Sequence, residues 1–287
     1  MTTPVGGGPT IQRMLVGSQL RRLREAANVT REAAGYHIRS SESKISRLEL
    51  GRVSFKERDV DDLLQLYGMA DAAERGQLVD QARQANERGW WHAFDDVMPG
   101  WFQNYIGLES AASMIRSYEI QFLPGLVQTA AYSRAVITAS MPGISEDQMD
   151  LRIRLRLQRQ EVLRRPNPVQ FWAVIDEAAI HRPHGGARVL REQIEHLLHL
   201  MTMANVVVQI MPYAIGSHAG DGGSFSILRF PEPDLTDLVY VPQMFSASFL
   251  DKASYVEQYS RMMDRLSVDA LPPDLTRDLL EGLLKGL

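Results

Sequence analysis

The sequence predicts a mainly α-helical protein in two parts: an N-terminal bundle of four to five short helices, and a larger C-terminal α+β domain with a small sheet. Three observations lead to this prediction. A length of 287 residues corresponds to about two domains of roughly 150 residues each. Apolar residues recur at helical spacing in the N-terminal part of the chain. Runs rich in β-branched residues, bounded by Pro, Gly and Asp, follow in the C-terminal part.

Basic residues concentrate near the N-terminus, although the chain has a net charge of −4. From Arg13 to Arg58 there are 11 basic and five acidic residues, a balance of +6, so the rest of the chain carries −10. A small basic module beside a larger acidic one indicates a polyanionic partner for the first and a different partner for the second. Chance clustering of charge is the alternative.

The composition excludes several other classes of protein. Hydrophobic residues at 45% and charged residues at 23% are typical of globular domains. No apolar run is long enough to cross a membrane and the first residues lack the apolar core of a signal peptide, so we expect a cytoplasmic protein with no membrane partner. The absence of cysteine excludes disulfides, thiolate zinc sites and cysteine nucleophiles.

Local signals predict the first three helices of the bundle. Residues 1–12 are expected to form a disordered leader, because Gly and Pro dominate their beginning. A first helix then ends near Asn28. Thr30 is a suitable N-cap for the second helix, and the Ser40–Ser41 pair offers one for the third. Gly51 is expected to terminate the third helix.

The remaining boundaries follow from the same kinds of signal. A fourth helix is predicted up to Gly68, and a fifth from Asp71 to about Glu87. We assign the N-terminal bundle to residues 13–75, a linker helix and aromatic junction to 76–100, and the C-terminal domain to 101–287.

The stretch LRRLREAANVT…SSESKISRLELGR resembles the helix-turn-helix domain of the Xre and phage-repressor type. The resemblance implies a lambda-repressor-like, DNA-binding bundle whose third helix, roughly Ser41 to Leu50, is the recognition helix that enters the major groove. It also implies that Arg24 and Glu49 form a buried ion pair, and that Ile45 and Leu48 lie in the core.

The same resemblance assigns the contacts with double-stranded DNA. Glu42, Ser43 and Arg47 occupy the positions that face bases. Arg47 can donate two hydrogen bonds to guanine, and Glu42 can accept one from the cytosine amino group. The expected phosphate contacts are Arg31, Lys44, Arg52 and Lys56. For Arg31 and Arg52, an ordinary solvated charge is the alternative.

One position departs from the family pattern. Arg39 lies in the turn between the second and third helices, where members of this family commonly carry Gly. We therefore expect a tighter or shifted turn, and the sequence alone leaves the exact start of the recognition helix open.

Residues 89–105, GWWHAFDDVMPGWFQNY, form an aromatic cluster that contains six of the 22 aromatic residues in the chain. Such a cluster indicates either a packing junction between two domains or a pocket or surface for a ligand or partner. Its members are Trp90, Trp91, Phe94, Trp101, Phe102 and Tyr105.

The C-terminal part is predicted to mix helices with strands. The expected helices are 108–118, 129–140, 146–165, 187–203, 254–267 and 274–284. The expected strands are 169–175, 206–211, 224–230 and 238–242. The run LRIRLRL alternates like a strand, but its Gln-, Glu- and Arg-rich surroundings favour a helix. We expect its arginines to form a solvated face with internal ion pairs, or to meet an acidic partner or DNA backbone.

Three blocks of the C-terminal part, YEIQFLPGLVQTAAYSRAV, IDEAAIHRPHGG and VVVQIMPYAIGSHAGDGGSFSILRF, are similar to the C-terminal domain of the WhiJ-like regulators of actinomycetes. The resemblance implies a repressor or an antitoxin-like protein with a small protein partner encoded by a neighbouring gene. A single helix-turn-helix offers little surface for specificity, so we expect a homodimer on a two-fold operator, with residues 101–287 dimerising and binding the partner or effector.

Histidines and acids in the C-terminal part are the candidate catalytic or metal-binding groups. They include His181, His184, His196, His199, His218, Asp176 and Glu177. Their spacing matches no common metal motif, and the Gly-rich GDGGSF turn lacks the Lys-Ser/Thr of a phosphate-binding loop. We therefore expect no metal, no cofactor and no enzymatic activity. A small-molecule-processing enzyme with a fused DNA-binding domain is the alternative.

Overall fold

The computed structural model describes residues 9–233 and 235–287, which form two units. The first unit contains the chain up to Ala93 together with Gln103–Ala111 and Glu232–Leu235. The second contains Phe94–Phe102, Ala112–Pro231 and Thr236–Leu287. The predicted fold class, a helical N-terminal part followed by a domain with a sheet, is confirmed.

Helices make up most of the regular structure. The α-helices are α1 (Pro9–Ala26), α2 (Arg31–His37), α3 (Glu42–Glu49), α4 (Glu57–Leu66), α5 (Ala72–Ala85), α6 (Gly100–Ala111), α7 (Ala130–Ser140), α8 (Glu146–Arg159), α9 (Glu177–His181), α10 (Ala187–Leu200), α11 (Ala253–Asp269) and α12 (Pro273–Gly286). The strands are β1 (Met114–Glu119), β2 (Gln170–Asp176), β3 (Val206–Met211), β4 (Phe225–Arg229), β5 (Leu238–Pro242) and β6 (Ala247–Leu250). Short 3-10 turns lie at Trp90–Val97, Gly125–Val127, Gln160–Leu163 and Tyr213–Ile215.

Helices α1 to α5 bury their apolar faces in one core. Leu20, Ile45 and Leu64 are among its fully buried side chains. Helix α5 contributes Leu78 and Ala82 to the same core. The boundary predicted at residue 75 therefore falls inside a helix that belongs to the bundle.

The sequence predicts the end of α3 correctly but not the start of α1. Helix α1 begins at Pro9, so residues 9–12 are helical rather than part of a leader, and residues 1–8 lie outside the described residues. Gly51 ends α3 as predicted, with a φ of +63°. A Cβ at Gly51 would also lie 2.6 Å from the backbone nitrogen of Met14, so only glycine allows α1 to pass this close to the end of α3.

Arg39 takes the left-handed conformation that glycine would adopt, with a φ of +55°. The Ser40 amide donates a hydrogen bond to the Gly35 carbonyl at 2.7 Å, which closes the turn. Helix α3 begins at Glu42 with Ser41 as its N-cap. The recognition helix therefore begins within one residue of its predicted start at Ser41, and the turn before it accommodates Arg39 in place of glycine.

Relief of this left-handed strain is measurable. A non-glycine residue in this conformation costs about 1 to 2 kcal/mol. Glycine avoids this cost, but part of the benefit is lost because glycine also increases the entropy of the unfolded chain. We expect Arg39→Gly to raise the free energy of unfolding of the first unit by about 0.5 to 1 kcal/mol, measured by native-state amide hydrogen exchange. Arg39→Ala is the control, because it removes the charge but keeps the Cβ. Equal stabilisation by both variants would assign the effect to charge instead.

The second unit is built on a six-stranded sheet with the order β3-β2-β1-β4-β5-β6. Strands β1, β2 and β3 are parallel, and helices connect them, as parallel pairing requires. Strands β4, β5 and β6 continue the sheet with antiparallel pairing. Helix α11 covers one face and packs Met263 and Leu266 against Tyr118 and Phe225.

The prediction for residues 108–118 was wrong. Helix α6 ends at Ala111, and β1 begins at Met114 in the middle of the sheet. Ile115 and Tyr118 are fully buried, and a short buried strand cannot be distinguished from a helix by periodicity alone. The four strands that were predicted correspond to β2, β3, β4 and β5, whereas β6 was missed.

Candidate nucleic-acid interface

Side-chain caps fix the start of both helices of the helix-turn-helix. Thr30 Oγ1 accepts a hydrogen bond from the Ala33 amide at 3.1 Å at the beginning of α2. Ser41 Oγ accepts one from the Lys44 amide at 3.2 Å at the beginning of α3. Because each cap satisfies an amide that the helix itself leaves unpaired, both helix starts are defined locally. The two caps were predicted from the sequence and are confirmed.

The three residues predicted to face bases are all exposed on α3. Glu42 and Ser43 lie in its first turn, next to the Ser41 cap. Arg47 lies one turn later, and its Nε donates a hydrogen bond to the Ser43 carbonyl at 3.3 Å. This bond lays the guanidinium along the helix towards its N-terminus. The three side chains are accessible to a DNA groove, and their contacts with bases stay a prediction.

The end of α3 is held by a buried charge network that the structure forms around Glu49. Arg24 Nε donates to Glu49 Oε1, and Arg24 Nη2 lies 3.2 Å from Glu49 Oε2. Only 8% of the Arg24 side chain and 2% of the Glu49 side chain are exposed. Arg24 also donates to the Val29 carbonyl at 2.9 Å, and its hydrogen bond to Glu49 raises its pKa.

Arg31 joins this network, which the sequence did not indicate. Its Nε donates to Glu49 Oε2 at 2.9 Å, and 32% of its side chain is exposed. Lys44, another predicted phosphate contact, forms an ion pair with Asp59 of α4 at 2.6 Å. The structure therefore gives these two cations carboxylate partners within the bundle. Each remains partly exposed.

Other exposed groups surround the turn between α2 and α3. Lys56 is exposed at the start of α4 and lines a groove with His37, Arg39 and Arg58. Arg52 is partly buried. Tyr36 is 87% exposed at the end of α2. The sequence places Arg39 in the turn but does not identify Tyr36 and His37 as exposed groups beside it.

The structure divides the six predicted cluster aromatics between the two units. Trp90, Trp91 and Tyr105 belong to the first unit, and Phe94, Trp101 and Phe102 belong to the second. Within the first unit the Trp90 and Trp91 rings meet edge to face at 6.0 Å. Within the second the Trp101 and Phe102 rings do so at 5.6 Å.

Two of the predicted histidines lie next to the two predicted acids. His181 lies 3.2 Å from Glu177, and His218 Nε2 lies 3.8 Å from Asp176 and 3.5 Å from the Tyr118 hydroxyl. Among residues 9–233 and 235–287, no three potential metal ligands come together. Gly220, in the Gly-rich GDGGSF turn, lies directly against the Tyr118 ring, where a Cβ would clash. Close packing therefore explains this glycine.

These elements define a protein with a helix-turn-helix bundle and a second, α+β unit. Residues 15–78 match a family described as a helix-turn-helix domain. Residues 102–282 match a family described as a domain of unknown function, DUF5753. This second match covers more than half of the chain, so the protein belongs to the DUF5753 family. No curated protein and no solved structure matches the chain.

Within the part of the chain that the structure describes, no helix has both the length and the apolar character needed to cross a bilayer.

Removal of the Glu49 carboxylate should destabilise the first unit. Glu49→Ala leaves Arg24 buried with only the half-exposed Glu25 carboxylate, 3.3 Å away, as an ionic partner. Breaking a buried pair in this way typically costs about 3 to 5 kcal/mol. Glu42→Ala, an exposed change on the same helix, should alter the free energy of unfolding by no more than about 0.5 kcal/mol. Combined replacement, Arg24→Met with Glu49→Leu, should recover most of the loss, as followed by hydrogen exchange in α1 to α5. An unchanged exchange rate in Glu49→Ala would contradict this account.

Proposed function

We propose that the protein is a sequence-specific transcriptional regulator that binds a two-fold DNA operator as a homodimer. The observation that carries the proposal is the geometry of α3. Its first turn is capped by Ser41 and exposes Glu42 and Ser43, while its last residue, Glu49, is held by buried arginine. A recognition helix anchored at one end and accessible at the other suits base reading in a major groove.

Charge supports the same proposal. The segment from Arg13 to Arg58 has a balance of +6, which favours a polyanionic partner. Lys56 is the most accessible of the proposed phosphate contacts. Arg31 forms an ion pair with Glu49, and Lys44 forms one with Asp59. We therefore assign Lys56 the larger part in phosphate binding, with Arg52, Arg31 and Lys44 setting the register.

The second unit is the proposed site of control. The bundle is small and offers little apolar surface for self-association, so we assign dimerisation to the C-terminal domain. By the resemblance to WhiJ-like actinobacterial regulators, we propose a cytoplasmic repressor or antitoxin-like protein. Its output is set by a small protein encoded nearby or by a ligand, and it has no catalytic role.

Replacement of Arg47 tests the recognition helix. Arg47→Ala should weaken binding to the preferred operator by about 1 to 3 kcal/mol and relax the base preference at one position of each half-site. Lys56→Ala is the matched comparison, because loss of a phosphate contact should weaken all sequences alike and reduce the salt dependence. Selection from a random DNA library gives the operator, and titration at several salt concentrations gives both effects. Unchanged affinity and selectivity in Arg47→Ala would place the recognition helix elsewhere.

Footprinting of the full-length protein tests the dimer. Two protected half-sites are expected with centres about 10 base pairs apart, or a multiple of that spacing, because a two-fold dimer presents both recognition helices to one face of the duplex. Light scattering should give twice the chain mass of 32.3 kDa. A monomeric mass together with a single protected site would exclude the homodimer.

A further inference from the structure

A cavity in the second unit combines arginine with apolar side chains. Its volume is about 50 Å³, which is room for roughly three or four water-sized groups. Arg152, Arg156 and Arg159 of α8 line it together with Met98, Phe102 and Leu155. No acidic side chain is among the residues that line it.

Helical geometry explains how the run LRIRLRL supplies these arginines. Arg152, Arg156 and Arg159 are spaced at i, i+4 and i+7, so they share one face of α8. Arg154 lies on another face and is exposed. The sequence predicts that the arginines of this helix form a solvated face with internal ion pairs, or meet an acidic partner or DNA backbone. Arg152 and Arg156 instead line the cavity.

Neither of these two arginines is neutralised within the described residues. Arg152 Nε is buried without a hydrogen-bond partner. Arg156 Nη1 donates to Gln128 Oε1 at 2.7 Å, but that amide is uncharged. Burial lowers the pKa of both arginines, that of Arg156 to about 10, and the charges of Arg159 and Arg152 add to the effect on Arg156. Two partly buried positive charges close together without a counter-ion are unfavourable for the folded protein.

Arg159 has a different environment from its two neighbours. Its guanidinium lies over the Phe102 ring, 5.1 Å from the ring centroid. It also interacts electrostatically with Glu119, whose pKa burial raises to about 7 while a hydrogen bond with Ser224 and the charge of Arg159 lower it. Among the described residues that line the cavity, we therefore treat only Arg152 and Arg156 as cations without an anionic partner.

We propose that this cavity binds the phosphate group of a small metabolite. A phosphate dianion matches the charge of Arg152 and Arg156, and guanidinium groups bind phosphate oxygens with paired hydrogen bonds. The cavity itself has room only for the phosphate group, so the rest of the ligand would lie outside it. Binding itself does not depend on DNA recognition. The role of the ligand as an effector of transcription rests on the proposed function.

Titration calorimetry and thermal unfolding of the full-length protein test the site, with inorganic phosphate and phenyl phosphate as probes. We expect both probes to bind and to raise the unfolding temperature. Arg152→Gln and Arg156→Gln should each weaken binding by about tenfold or more, since each removes charged hydrogen bonds. Arg154→Gln is the matched control, because it removes an exposed arginine from the same helix and should leave the affinity unchanged.

A measurement without ligand separates binding from packing. If Arg152 serves a ligand, Arg152→Gln should unfold at or above the wild-type temperature in phosphate-free buffer, because it removes a poorly compensated charge. A lower unfolding temperature would indicate that Arg152 is needed for packing, and would overturn the proposal. So would a lack of phenyl phosphate binding at millimolar concentration, equal loss in Arg154→Gln, or binding of benzoate as tight as that of phenyl phosphate.

Failure of the effector role has a separate readout. Operator titration of wild-type protein with and without phenyl phosphate should show a change in DNA affinity that Arg156→Gln abolishes. If phenyl phosphate binds but the DNA affinity stays constant, the proposed phosphate site is supported and the effector role is wrong. If no operator is found at all, the proposed function fails while the calorimetric result still decides the site.

Discussion

The buried carboxylate of Glu49 is the interaction on which the helix-turn-helix depends. It accepts hydrogen bonds from Arg24 of α1 and Arg31 of α2, and it lies at the end of α3, so one side chain joins three helices. A charge removed from water is tolerated only when its partners are in place, which makes the network sensitive to the angles between these helices. Because α3 is short, the position of Glu49 at its end also fixes the orientation of its exposed first turn.

The same electrostatic requirement gives opposite outcomes in the two units. In the first, Arg24 has a carboxylate within the bundle, so its charge contributes to a fixed structure. In the second, Arg152 and Arg156 have no ion pair among the residues described by the structure. A partly buried cation that the chain leaves uncompensated is a means of binding an external anion. Function therefore follows from where the chain supplies a counter-charge and where it does not.

Elements marked by local signals were predictable from the sequence, and those that depend on distant contacts were not. Thr30, Ser41 and Gly51 fixed the limits of α2 and α3, because caps and terminators act within one helical turn. The contact of Arg31 with Glu49 joins residues 18 positions apart and depends on helix packing. Strand β1 was missed for the same reason, since its pairing with β2 and β4 decides its conformation.

Arg154 and Arg156 show how a distinction invisible in the sequence bears on function. They are two positions apart in a run of alternating residues, yet Arg154 is exposed and Arg156 lines the cavity. A cavity of about 50 Å³ excludes a duplex on size but admits a single phosphate group. The chain can therefore use arginine for two kinds of phosphate ligand, because charge on an exposed helix is accessible to DNA, whereas charge that lines a small cavity admits only a small anion.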